Sequence, residues 1–98
     1  MIVYIAGKMT GLPDLGKAQF DAAAERLRSQ GHIVLNPAEL PAGMPRARYM
    51  PLCLAMLGAA DAIYMLAGWQ DSPGAMIEHS YAAYQGKRRL YERWEARS

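Results

Sequence analysis

Apolar and polar positions follow two different rhythms along this chain. Ile2-Val3-Tyr4-Ile5-Ala6 is an uninterrupted apolar run ending at Gly7, the pattern of a strand buried on both faces of a parallel sheet. From Ala18 to Gln30 the period lengthens. Phe20, Ala23, Ala24 and Leu27 share one face while Glu25, Arg26 and Arg28 fall off it, which predicts an amphipathic helix stopped by Gly31. His32-Ile33-Val34-Leu35 repeats the strand pattern and closes at Asn36-Pro37. Pro41, Gly43 and Pro45 then mark a long loop over Ala38–Tyr49. Pro51 is expected to open a second helix, to about Ala60, because proline suits a first helical position. Asp61–Leu66 reads as a third strand, with Gly68-Trp69-Gln70-Asp71 as its exit loop. Ser72-Pro73 then supplies an N-cap and a first-turn proline for a helix to about Gln85, stopped by Gly86. Arg89-Leu90-Tyr91 is a brief fourth strand candidate.

Strand and helix alternate throughout, the signature of a single α/β domain spanning residues 1–98. The expected architecture is a three-layer parallel sheet of four or five strands flanked by helices. Ligands of such sheets bind at the carboxyl ends of the strands, near the switch point. That topology gathers Gly7–Gly11, Asn36-Pro37 and Gly68–Gly74 around one crevice.

Composition narrows the function classes. Hydrophobic residues make up 52% of the chain and charged ones 20%, so it can bury a core and is not expected to be disordered. Much of the basic excess behind the net charge of +2 lies in Lys87, Arg88, Arg89, Arg93 and Arg97, read as a solvated end. No basic patch with interleaved aromatics runs through the rest, so nucleic acid is not an expected partner. Cys53 stands alone, which excludes an internal disulfide and a cysteine zinc cluster, and its apolar neighbours predict a buried, inert thiol. His32 and His79 have no Asp or Cys at ligand spacing. No metal and no cofactor is expected. Met1–Ala6 lacks the basic start of a signal peptide and no apolar run nears the ~20 residues of a membrane span. The expectation is a cytosolic protein with no membrane partner.

Three groups of residues could carry chemistry. The first is Gly7-Lys8-Met9-Thr10-Gly11, where two glycines after a strand allow backbone amides to approach a ligand. It is not a nucleotide-binding P-loop, because no Gly-Lys-Ser or Gly-Lys-Thr follows. The second is Ser72-Pro73-Gly74-Ala75-Met76-Ile77-Glu78, whose free N–H groups suit an anion. Glu78 lies deeper in the helix among mostly apolar neighbours. It either attacks an anomeric carbon from the crevice or is a surface carboxylate near a helix start. The third is the pair Asp61 and Asp71, one of which could serve as general acid or orient sugar hydroxyls; turn chemistry at the helix–strand junction also explains Asp61. Tyr4 either holds the carboxylate or belongs to the core. Trp69 either stacks on a flat base or packs over the sheet edge.

Taken together, Tyr4-Ile5-Ala6-Gly7-Lys8-Met9-Thr10-Gly11, Asp61-Ala62-Ile63-Tyr64 and Ser72-x-Gly74-x-x-x-Glu78 resemble the nucleoside 2-deoxyribosyltransferase-like superfamily. That superfamily includes the 2′-deoxynucleoside 5′-phosphate N-hydrolases. Its small phage and bacterial branch looks nearest, through Asn36-Pro37 and Gly68-Trp69. The resemblance implies a flavodoxin-like fold, a homodimer or larger homo-oligomer, and cleavage or transfer of an N-glycosidic bond. By it, Glu78 matches the nucleophile, Tyr4 the tyrosine that positions it, and Asp61 an aspartate near the sugar. Asp71 lies close to a further aspartate of the transferases. Ser72 and Gly74 match the segment that meets the 5′ end of the substrate. Gly7, Lys8, Met9, Gly11, Asn36, Gly68 and Trp69 complete the expected binding set. The alternative is a non-catalytic protein that binds or sequesters a nucleotide or an ADP-ribose-like ligand in the same crevice.

Overall fold

The computed structural model describes residues 1–92; Arg93 and Arg97 of the basic tail lie outside them. Four strands alternate with three α-helices: β1 (Ile2–Ala6), α1 (Lys17–Ser29), β2 (Ile33–Leu35), α2 (Arg46–Gly58), β3 (Ala62–Met65), α3 (Pro73–Tyr84) and β4 (Arg88–Tyr91). All pairings are parallel and the strand order is β2-β1-β3-β4. The chain therefore leaves β1 for one neighbour and returns to the other, which puts the switch point between β1 and β3. The fold is the expected three-layer, flavodoxin-like α/β sandwich.

The strand side chains divide by parity. Val3 and Ile5 of β1 pack with Phe20, Ala23, Ala24 and Leu27 of α1 on one face. Tyr4 and Ala6 join Ile63 and Met65 of β3 against Cys53 and Leu57 of α2 and Ala75 and Ala82 of α3 on the other. A strand wedged between helices needs apolar residues at both parities, which is why β1 reads as a continuous run. Helix ends are closed by local rules. Gly31 (φ 91°) and Gly86 (φ 71°) terminate α1 and α3. In each case the next residue, His32 or Lys87, bonds back to the carbonyl of Leu27 or Ala82, the Schellman arrangement that left-handed glycine permits.

One element departs from expectation. Pro51 does not open α2; the helix begins five residues earlier, at Arg46, with Pro45 as its cap and Pro51 inside it. The Tyr49 hydroxyl donates to the Pro41 carbonyl at 2.6 Å and accepts from the Met44 N–H at 3.3 Å. Those bonds fasten the preceding loop onto the first turns, where Arg48 N–H already reaches the Pro45 carbonyl. The cost is one helical bond, since Pro51 has no N–H to give the Ala47 carbonyl. Among the described residues no helix is long and apolar enough to cross a membrane.

Candidate active site

A cavity of about 380 Å³ opens at the carboxyl ends of β1 and β3, within the range of small-molecule sites (roughly 300–1,000 Å³). Its floor is the end of β1 and the loop Gly7–Thr10; one wall is the start of α3 and the other is α2. The lining is mostly apolar, with Tyr4, Lys8, Thr10, Tyr49, Asp71, Ser72 and Glu78 as its polar side chains.

Glu78 lies within α3 and is only 6% exposed. Its Oε2 accepts a 2.8 Å hydrogen bond from the hydroxyl of Tyr4, which is fully buried at the centre of β1. Parallel pairing of β1 with β3, followed by the short crossover into α3, brings together two residues 74 positions apart. Burial pushes the Glu78 carboxyl up from 4.5 to about 7, although the Tyr4 hydroxyl and the adjacent Cys53 thiol both favour its ionised form. Tyr4 itself is pushed well above its ordinary value, first by burial and then by the Glu78 charge. It therefore remains a proton donor to the carboxylate throughout the neutral range.

The start of α3 is built as its sequence implies. Ser72 Oγ accepts the Ala75 N–H at 3.2 Å and Pro73 occupies the first helical position. Gly7 is glycine for packing reasons: a Cβ there would lie 2.9 Å from the Leu66 side chain. At Gly74 a Cβ would meet the Met50 methyl at 3.5 Å and Ser72 Oγ at 3.9 Å, both ordinary contacts. Glycine at this position widens the cavity rather than relieving a clash.

Of the expected site residues, Glu78, Tyr4, Asp71, Gly7, Lys8, Met9, Ser72 and Gly74 line the cavity. Five do not. Asp61 sits at the amino end of β3, the opposite end of the sheet, where its Oδ2 accepts the Ile2 N–H at 2.8 Å; it fastens β1 to β3 away from the cavity. Asn36 is buried and engaged, donating to Asp21 and accepting from the Ala38 N–H. Trp69 stacks on His79 with ring centroids 4.4 Å apart, and Tyr91 closes the group through a 2.7 Å bond to His79. The indole thus packs on His79 and Tyr91, outside the cavity lining. Gly68 (φ 85°) and Gly11 (φ 86°) shape turns outside the lining.

The α2 wall escapes the sequence reading. Tyr49, Met50 and Cys53 line the cavity because the early start of α2 turns them to one face. Cys53 is buried as expected, with its thiol pushed up by burial, but it stands in the site beside Glu78. The spacing Tyr49, Met50, Cys53 would have shown this only with the helix begun at Arg46. In the basic tail, Lys87 is not a free cation. Its Nζ donates to the carbonyls of Gly58 and Ala60 at the end of α2. Among the described residues no group of three His, Cys, Asp or Glu is placed to hold a metal ion.

The family model described as "Domain of unknown function (DUF4406)" matches residues 1–91, and the chain belongs to that family. No curated protein matches it.

Proposed function

We propose that this member of the DUF4406 family breaks or transfers the N-glycosidic bond of a deoxynucleoside or its 5′-monophosphate through Glu78, in the manner of the nucleoside 2-deoxyribosyltransferase-like superfamily. One observation carries the reading: a buried carboxylate, titrating near neutrality, held by a buried tyrosine hydroxyl in a strand-end cavity. A surface glutamate would need neither the burial nor the partner.

With Oε2 bound to Tyr4, Oε1 is the oxygen that attacks the anomeric carbon. The C–O bond to Glu78 forms as the C–N bond breaks, and the bonding pair leaves with the base, whose nitrogen takes a proton. The departing base takes that proton from solvent water at the cavity rim, where Asp71 is exposed. Water attacking the glycosyl ester gives hydrolysis and restores the carboxylate; a second base gives transfer. The Ser72 helix start and Lys8 form the end of the cavity suited to a 5′-phosphate.

A raised carboxyl also favours a second reading. Glu78 in its neutral form could donate to a ligand oxygen in a protein that binds a nucleotide or an ADP-ribose-like molecule without turnover. Incubation with deoxy- and ribonucleosides and their 5′-monophosphates, with free base followed by chromatography, separates the two. The enzyme releases base and Glu78→Ala does not. Thermal stabilisation by a nucleotide with no base released overturns the glycosidic reading and leaves the binding one.

A further inference from the structure

Between β1 and α1 the backbone makes a left-handed turn at non-glycine residues. Asp14 (φ 51°) and Leu15 (φ 53°) both lie in the left-handed region, and Gly16 (φ 75°) follows them. An L-residue there presses its Cβ on the following carbonyl, and a leucine has no polar side chain to compensate. The turn is closely held. Leu15 N–H bonds the Leu12 carbonyl, and a Cβ on Gly16 would lie 3.0 Å from the Lys8 carbonyl oxygen.

Core packing does not explain the leucine. Leu15 is 47% exposed and belongs to neither hydrophobic cluster, yet its side chain lines the cavity. Glycine would hold the same backbone with less strain, and any polar residue would be better solvated. The fold therefore keeps an apolar side chain at the cavity mouth at a cost in stability. Strain that persists without packing in its favour points to a contact made only when the site is filled.

We propose that Leu15 is a specificity-determining residue that packs on the face of the nucleobase. The inference rests on the glycosidic reading and adds to it the residue that recognises the base. The α2 wall suits the same role. Met50 presents a flexible apolar side chain, and the Tyr49 hydroxyl is already engaged by Pro41 and Met44. The base is then recognised mainly through its apolar face.

Leu15→Gly and Leu15→Ala test this, each made on a Glu78→Gln background so that no base is released during titration. Calorimetry gives the affinities for deoxynucleoside 5′-monophosphates and for 2-deoxyribose 5-phosphate, which has no base; thermal unfolding without ligand gives Tm. Both variants should reduce the nucleotide's advantage over the sugar phosphate about tenfold, the effect of losing one buried aliphatic contact. Leu15→Gly should unfold at or above the parent Tm. An unchanged advantage, or equal weakening of both ligands, overturns the role of Leu15 while leaving the glycosidic reading in place. A lower Tm for Leu15→Gly makes the side chain structural and also overturns it. A parent protein that binds no nucleotide, with no base released by the wild type, removes both readings together.

Discussion

The Tyr4 hydroxyl, at the centre of a buried strand, donates a 2.8 Å hydrogen bond to Glu78 Oε2. Burial raises the carboxyl and the hydroxyl holds it part of the way back. The pair therefore keeps a carboxylate accessible near neutral pH in a site that would otherwise protonate it.

Loss of that hydroxyl should move the activity along the pH axis. Attack requires ionised Glu78, so base release should rise with pH through about 7. In Tyr4→Phe the carboxyl loses a donor that favours its charge, and the rise should shift to higher pH. At pH 7 the rate should fall roughly tenfold to a hundredfold, from lost ionisation and lost orientation together. Activity profiles of the two proteins from pH 5 to 9 check this.

Glu78 should also make folding stability depend on pH. Its folded value of about 7 lies above the ordinary 4.5, so between these limits the native state binds more protons than the unfolded one. Stability from this group is fully present below about 4.5 and is lost as pH rises through 7. The whole effect is on the order of 3 kcal/mol. Glu78→Gln should flatten the dependence and unfold later than the wild type at pH 8. Urea denaturation at pH 5 and pH 8 measures both.

Gly7→Ala should destabilise the fold by about 1–3 kcal/mol, the usual effect of overpacking. The new methyl would lie 2.9 Å from the Cβ and Cδ1 of Leu66, a residue only 4% exposed with nowhere to move. Chemical denaturation of the single variant is sufficient; wild-type stability would refute the close approach.

Asp61→Ala separates fold from site. It removes the acceptor of the Ile2 N–H at the amino end of the sheet, at a cost of about 0.5–1.5 kcal/mol. Base release per folded molecule should be unchanged, because the residue lies at the far end of the strands from Glu78. A hundredfold loss of turnover with little change in stability would return Asp61 to the reaction.

The alternation of strands and helices, the stops at Gly31 and Gly86 and the Ser72 cap are all determined within a few residues of chain. Period-two and period-3.6 patterns and capping rules act over that range. So a parallel sheet with a crevice at its strand ends, and Glu78 near the start of the helix beside it, are legible in the sequence alone. The start of α2 is not, because it depends on Tyr49 bonding back across the loop to Pro41. Tertiary structure alone decided which partner each polar side chain meets. The register that sets Ile2 beside Asp61 and Tyr4 beside Ile63 sends one carboxylate to the amino edge and the tyrosine to the site. Trp69, which local sequence leaves open between base and sheet edge, packs on His79 and Tyr91. Such choices rest on contacts between residues eight or more positions apart, beyond the reach of capping and periodicity rules.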